Sequence, residues 1–589
     1  MANAPRAEYP RPDFERESYV CLNGEWDFEY DDNNCGIVEK WYGNKELGQK
    51  IIVPYTYLCE MSGINNQDFH DIVWYKKEFT YSKKKVSNRV LLHFGAIDYV
   101  ADIWVDGVHL SHHEGGNTPI EVDITSVMGD VATHVITVRA EDDSFDFEMP
   151  RGKQFWKKES EGIFYTRTVG IWQTVWLEEV AENYLKAVRV TSDLDTRMVE
   201  IELQMGRKGC ALVDVSISLD GAVLLNDTVE IKGNKAKRKC WLDSAITLDW
   251  NHQESWTWSP ENPVLFDIEY AVKDFETGEV TDKVKSYFAF RKIDIVNGKI
   301  MLNNRPCYMK MVLDQGYWRK SLLTAPTDEA LKADIEYAKL MGFNGARKHQ
   351  KVEDPRYLYW ADKLGFLVWG ESPSSYEYSE LAVERHVKEW LEILRRDYNH
   401  PSIIVWVPLN ESWGVHEMQS RKDEQAHSLA LYHMIKSIDQ TRLVISNDGW
   451  THTKSDILTI HDYTDEKDIL EERYSELDNI VSHFPGGHAL YAEGYGYEGE
   501  PVMVTEFGGI AYSTDNAKGW GYTSANKGEE FLEKYRGVVE PLLKSKSVQG
   551  FVYTQLADVE QEINGLMTYD RDFKVEPAKI KEINGNINK

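Results

Sequence analysis

The chain is short of cysteine, of basic charge and of long apolar runs, and each shortage closes off a class of function. Its six cysteines (Cys21, Cys35, Cys59, Cys210, Cys240 and Cys307) have neither paired nor metal-type spacing. A disulfide framework and a thiolate metal site are therefore not expected, and free thiols suit a cytoplasmic location. Lysine and arginine number 67 against 97 aspartate and glutamate, a net charge of −30. Phosphate neutralisation needs a basic surface, so this balance argues against nucleic acid and against anionic membranes as partners. No segment is long and apolar enough to span a bilayer, and the opening Met1-Ala2-Asn3-Ala4-Pro5-Arg6-Ala7-Glu8 has no apolar stretch of secretory type. A Gly-rich phosphate loop and a cysteine-based redox motif are also missing, and no cofactor is expected.

Aromatic residues are plentiful, at 12% of the chain with 19 Trp and 32 Tyr. Aromatic faces cover the apolar C–H faces of sugar rings, although a large tyrosine-rich core would give the same composition. A chain of 589 residues exceeds what one hydrophobic core supports, which predicts three or four domains.

The sequence changes grammar near residue 291. Before it, alternating apolar residues are bounded by Gly, Asn and Asp, as in Arg89-Val-Leu-Leu-His-Phe94, in Ala101-Asp-Ile-Trp-Val105 before Asp106-Gly107, and in Val199-Glu-Ile-Glu-Leu203. This pattern predicts two β-sandwich domains, over 1–182 and 183–291, the second of immunoglobulin-like size. From residue 292 short apolar runs alternate with helical stretches such as Thr327–Met341 and Leu381–Tyr398. Eight strands are expected near 306–314, 343–349, 366–371, 402–410, 443–447, 457–462, 501–505 and 549–555, which fits a (β/α)8 barrel over 292–589.

Such barrels gather their working groups at the carboxyl ends of the strands. Those ends read Asp314, Arg347 with His349, Glu371, Asn410 with Glu411, Asp448, His461 with Asp462, Glu506 and Gln555. A barrel used only as scaffold has no reason to collect so many carboxylates on one rim, where their repulsion costs stability. Ser402-Ile-Ile-Val-Trp-Val-Pro-Leu-Asn410-Glu411 and Pro501-Val-Met-Val-Thr-Glu506-Phe-Gly-Gly509 are nearly continuous apolar strands that each end in glutamate. On strands four and seven these carboxyls face each other across the barrel mouth. Cleavage of a glycoside with retention needs two carboxyls about 5–5.5 Å apart, one ionised to attack and one protonated to donate.

These two motifs resemble those of glycoside hydrolase family 2, the β-galactosidase and β-glucuronidase family, and the resemblance extends over nearly the whole chain. In the first domain it is carried by Trp74-Tyr75, Phe94-Gly-Ala-Ile-Asp-Tyr99, Trp104-Val-Asp-Gly107, His113-Glu-Gly-Gly116, Asp123-Ile-Thr125 and Gly162-Ile-Phe-Tyr-Thr-Arg-Thr-Val-Gly-Ile-Trp172. The resemblance implies a jelly-roll sugar-binding domain, an immunoglobulin-like sandwich and a catalytic barrel. It implies Glu411 as general acid/base and Glu506 as nucleophile of a retaining, exo-acting hydrolase. Arg347 would support the charge of Glu506, Tyr463 would hydrogen-bond Glu506, and Asn410 would bind the sugar 2-hydroxyl. The expected substrate-binding set is completed by Asp314, His349, Glu371, Trp520 and Gln555, with Trp369 and Trp413 as further aromatic platforms.

Glucuronidases of this family carry an Asn-x-Lys motif after the eighth strand, where this chain has Glu562-Ile563-Asn564. Without that cation, and with Glu562 in place to repel a carboxylate, a neutral terminal sugar is expected and a uronic acid is not. Gln350 replaces the usual histidine of β-galactosidases, with His349 one place earlier, and Tyr553 stands where Trp is common. A galactoside and an α-L-arabinoside therefore both remain open. A catalytically inactive carbohydrate-binding protein and a transglycosylase are the alternatives in other classes. No metal is expected, since no compact ligand set demands one, although Glu371 and Glu411 could share an ion. The sequence is compatible with a homo-oligomer.

Overall fold

The computed structural model describes residues 4–585 apart from residues 86, 130, 131, 245, 249 and 516. The first three residues of the opening segment thus lie outside the described residues. The first domain packs a four-stranded sheet on a six-stranded one, and every pairing within them is antiparallel. Strands Gly24–Tyr30, Ile72–Thr80, Val100–Val105 and Thr133–Glu141 supply one layer, and Arg89–Phe94 and Val175–Val180 the other. Their inward residues, among them Trp26, Phe28, Tyr75, Leu92, Ile103 and Val138, form one core. Asp106 (φ 51°) and Gly107 (φ 78°) make the two-residue turn that the sequence signalled.

The second domain begins with Leu185–Asp193. Its long strand Met198–Leu219 breaks register between Gln204 and Gly209. The first part pairs with Leu185–Asp193 and the second with Phe266–Asp274, so one bent strand serves both sides of the core around Val199, Ile201, Val213, Ile217 and Tyr270.

All eight expected barrel strands are present: Met309–Asp314, Gly345–Lys348, Leu367–Glu371, Ile403–Val407, Leu443–Val444, Leu458–His461, Val502–Glu506 and Val548–Tyr553. Their parallel ladder runs five, four, three, two, one, eight, seven, six. That is the order of a closed barrel cut between strands five and six. Thr327 caps the helix Asp328–Leu340 by accepting from Ala330 N, and Ser379 caps Glu380–Asp397 by accepting from Ala382 N. The crossover from strand five to strand six departs from the expected repeat, since no helix forms in it. Its sequence, Ser446-Asn-Asp-Gly-Trp-Thr-His-Thr-Lys-Ser-Asp456, is made of turn formers and lacks an apolar stripe to dock a helix.

The first domain leans on the barrel mouth. Arg385 on the third barrel helix bonds Glu114 and Asp146, and the buried Glu389 accepts from Asn117 N and Nδ2. The loop after Thr133–Glu141 reaches further, donating from Arg151 N and Gly152 N to Ser374 O.

Candidate active site

The chain leaves strand four through Pro408 and Leu409 and places Asn410 and Glu411 at the rim. Glu411 (φ 51°) and Ser412 (φ 58°) are consecutive non-glycine residues in the left-handed region, a conformation that costs about 1–3 kcal/mol per residue. The helix-free crossover holds them there: Glu411 N donates to Asp448 O and Ser412 N to Asn447 Oδ1, each at 2.9 Å. Glu506 ends strand seven with its side chain 7% exposed, while that of Glu411 is 18% exposed. A carboxylate oxygen of each and a ring nitrogen of His461 all lie within 4.8 Å of one another.

Arg347 is the hub beneath them, with a side chain wholly removed from solvent. Its Nε donates to Glu371 Oε2 (2.7 Å), Nη1 to Glu506 Oε1 (3.0 Å), and Nη2 to Asn410 Oδ1 (2.6 Å). Asp448 Oδ2 lies 2.7 Å from Nη1. A planar guanidinium with fixed donors thus ties the ends of strands two, three, four and seven together. Burial raises the Glu371 carboxyl above its usual range, against the pull of Arg347. Tyr463 donates to Glu506 Oε2 at 2.7 Å and is stacked on Tyr522.

His461 occupies the space between the two glutamates. Its Nδ1 is 2.7 Å from Glu411 Oε1 and 3.6 Å from Glu506 Oε2, and its Nε2 is 3.1 Å from Asp448 Oδ2. Burial alone would lower its pKa, but the carboxylates of Glu506 and Asp448, with the bonds to Asp448 and Glu411, push it up to about 10. Burial would likewise raise Glu411, yet the bond from His461 and the charges of His461, Lys153 and Arg347 hold it below the usual carboxylate value. The two shifts run in the directions that put the proton on the imidazole. The acid expected from sequence has its proton next door, across a 2.7 Å hydrogen bond.

Glu411, His461 and Glu506 are also the group among the described residues that could hold a metal ion. Nε2 of His461 faces Asp448 Oδ2 and, at 3.5 Å, Arg347 Nη1, which leaves Nδ1 as its ligating nitrogen, available once its proton is displaced. The same three groups can share a proton. The pairing of Glu371 with Glu411 raised by the sequence does not form: Glu371 is occupied by Arg347 Nε and Gln350 N, while Glu411 turns to His461.

The other expected residues divide. Asn410 is buried with Nδ2 unpaired, because Arg347 fixes its Oδ1. His349 is buried, with Nδ1 3.0 Å from Glu371 Oε1; burial, Lys153 and Arg347 lower its pKa well below the ordinary value. Asp314 is not brought into the cleft. It accepts from Gly316 N (2.8 Å) and Lys348 Nζ (2.5 Å), and Lys348 lies over the Tyr357 ring in the helical layer. Lys348 follows Arg347 on strand two, and alternation along a strand sends it and its partner outward. Trp369 belongs to the barrel's inner core, so it is packing. Trp413 and Trp520 lie partly exposed at the mouth, Trp520 donating to Gly162 O at 2.9 Å.

Gln555 belongs to a closed ring of side chains that the sequence did not reveal. Tyr165 of the first domain donates to Glu562 Oε2 (2.5 Å) and accepts from Gln315 Nε2 (2.6 Å), which also donates to Gln555 Oε1 (3.0 Å). Gln555 Nε2 donates to Asn564 Oδ1 (2.8 Å), and Asn564 Nδ2 returns to Glu562 Oε1 (2.9 Å). The roles of His461, Lys153, Tyr165 and Gln315 were missed. The only sequence signal for His461 was its place at the end of strand six, and Lys153 and Tyr165 come from another domain.

Residues 293–588 match the family model described as glycosyl hydrolases family 2, TIM barrel domain, and residues 19–175 match its sugar binding domain. A β-galactosidase of Thermoanaerobacter pseudethanolicus is 26% identical over 69% of this chain, which spans 52% of that protein's length. A β-glucuronidase of Rattus norvegicus is 22% identical, covering 86% of this chain and 80% of its own. Among solved structures, a β-galacturonidase from Eisenbergiella tayi superposes with TM-score 0.74 at 18% identity, over 99% of this chain and 98% of that one. A Ruminococcus gnavus β-glucuronidase in complex with D-glucuronic acid does so with TM-score 0.77 at 18% identity, over 98% and 99%. At such identity these likenesses establish the fold.

Proposed function

The chain belongs to glycoside hydrolase family 2, and from that premise we propose that it is a retaining hydrolase releasing a neutral terminal sugar, of β-galactoside or α-L-arabinoside type, from a chain end. One observation carries the retaining mechanism: an oxygen of Glu411 and an oxygen of Glu506 lie within 4.8 Å of each other. That spacing favours direct attack over the wider gap that an inverting enzyme keeps for water.

Glu506, oriented by Arg347 and Tyr463, attacks the anomeric carbon. The proton on His461 moves across its bond to Glu411, which passes it to the departing oxygen as the glycosidic bond breaks. A glycosyl ester on Glu506 results. Glu411, now a base, takes a proton from water, whose oxygen displaces Glu506 and restores the starting anomeric configuration. The free Nδ2 of Asn410 is the donor suited to the 2-hydroxyl, a contact that strengthens as positive charge develops at the anomeric carbon. No helix among the described residues is long and apolar enough to cross a membrane, and all six thiols are free. Both agree with the cytoplasmic location proposed here.

The test is hydrolysis of a panel of nitrophenyl glycosides (galactoside, arabinosides, glucuronide, mannoside, fucoside) with the first-formed anomer followed by NMR. Release of a neutral sugar in the substrate's own anomeric configuration is expected. An inverted first product overturns the mechanism, and silence across the panel supports a binding protein instead.

A further inference from the structure

Lys153 lies at the active site but belongs to the first domain, and the mechanism above does not use it. The residue is 8% exposed, and its Nζ stands 4.8 Å from the centre of the Trp413 ring, two residues beyond Glu411. Among the described residues no hydrogen bond or ion pair holds that ammonium. An ammonium whose contact is a ring face keeps its N–H donors free for a ligand.

The backbone presenting it is fixed from both sides. Gly152 N donates to Ser374 O, the Tyr376 hydroxyl shares its one proton between the carbonyls of Gly152 and Gln154, 2.7 Å from each, and Tyr165 N donates to Lys153 O at 2.9 Å. Gly152 has φ 57°, and a Cβ there would lie 2.8 Å from Gln350 O. Only glycine lets the loop lie so close to the barrel.

Tyr165, whose N–H holds Lys153 O, reaches Glu562 with its hydroxyl, so the two charged residues flank one tyrosine; Glu562 is 3% exposed, and each of its oxygens accepts one bond within the side-chain ring, from Tyr165 and from Asn564. The charge of Lys153 acts on Glu562, Glu411 and His349, groups at the ends of three different strands or the loops beyond them. Lys153 and Glu562 are nevertheless not in ion-pair contact. A hydroxyl between them would accept from the ammonium and donate to a remaining lone pair of the carboxylate, at about 2.7–3 Å on each side. A carboxylate in the same place would meet Glu562 head on.

We propose that Lys153 and Glu562 form the specificity-determining pair that grips one hydroxyl of a neutral terminal sugar, remote from its anomeric carbon. This rests on the glycosidase reading and extends it by assigning a charged clamp across two domains to a hydroxyl-bearing ring.

The experiment compares wild type with Lys153→Met and Glu562→Gln, each checked for an unchanged melting temperature. The substrates are the nitrophenyl glycoside that wild type hydrolyses fastest, its monodeoxy analogues and the matching glycuronide. Each variant is expected to lose roughly 10- to 100-fold in kcat/KM on the parent substrate, the scale for one hydrogen bond to a charged group. One deoxy analogue should erase the difference between variants and wild type, with Lys153→Arg falling in between. If Lys153→Met stays within about twofold of wild type, or all deoxy analogues keep the full difference, the pair does not grip a hydroxyl, while the glycosidase reading stands. A wild type that prefers the glycuronide, lost in Lys153→Met, overturns the proposal by making the ammonium a counter-ion. A wild type inert on every glycoside overturns the glycosidase reading and this pair with it.

Discussion

At the residue scale the chemistry turns on where one proton rests. A histidine whose pKa rises from 6.5 to about 10 on folding stabilises the fold fully below pH 6.5 and loses that contribution as pH climbs through about 10. In the proposed mechanism the same proton supplies Glu411. The alkaline limb of kcat/KM should therefore sit near pH 10 in wild type. In His461→Asn the acid must keep its own proton, and the limb should move to lower pH, with activity at pH 9 falling roughly 100-fold or more. An alkaline limb unmoved by the substitution would show that His461 does not hold the proton. Arg347, Asn410, Glu411, Tyr463 and Glu506 were legible because each ends a strand or sits in a short motif. His461 was read as one more strand-end residue, since its role exists only once strands four, six and seven are side by side. Asp314 was misread for a similar reason: strand alternation is visible in the sequence, but which parity faces the cleft is not.

At the scale of elements, two pieces of irregular chain do what the barrel strands cannot. The crossover from strand five to strand six forgoes its helix and thereby supplies Asp448, Asn447 and the backbone carbonyl that hold the left-handed Glu411–Ser412 turn. Eight strands were countable from apolar runs, and the missing helix was implicit in the Ser, Asn, Asp and Gly content of the crossover. The loop carrying Gly152 and Lys153 was illegible, because Arg151-Gly-Lys-Gln-Phe-Trp-Lys-Lys158 looks like a solvated basic turn until a second domain buries part of it. Gly152→Ala should cost about 1–3 kcal/mol and push this loop off the barrel. The measurable result is a melting temperature lowered by a few degrees together with a fall of about tenfold or more in kcat/KM. Wild-type kinetics in a folded variant would separate the loop from catalysis.

For the whole molecule, the first domain forms part of the wall of the candidate active site. Its contact with the barrel contains Glu389, a carboxyl that burial pushes up to about 7 against the two bonds from Asn117 and the charge of Lys388. A carboxyl raised from 4.5 to about 7 stabilises the fold below pH 4.5, and that contribution is lost as pH rises through about 7. Glu389→Gln keeps an oxygen for Asn117 and removes the charge. It should flatten the fall in thermal stability between pH 4.5 and 8 and gain roughly 1–3 kcal/mol at the upper end. An unchanged pH profile of the melting temperature would mean that the interface opens before this group is felt. The division into two β-rich domains and a barrel could be read from the change in hydrophobic period near residue 291. Their mutual docking could not, because Tyr165 and Glu562 are 397 positions apart.

The measurement that bears most directly on the central claim is the mass of the peptide carrying Glu506 after reaction with an activated 2-deoxy-2-fluoro glycoside of the preferred sugar. The fluorine slows both steps by destabilising charge at the anomeric carbon, and the good leaving group lets the first step proceed. A single fluorosugar ester on Glu506, formed with a stoichiometric burst and lost as activity returns, is the predicted result. Labelling of Glu411 or of any other side chain, or turnover with no covalent adduct, would contradict it.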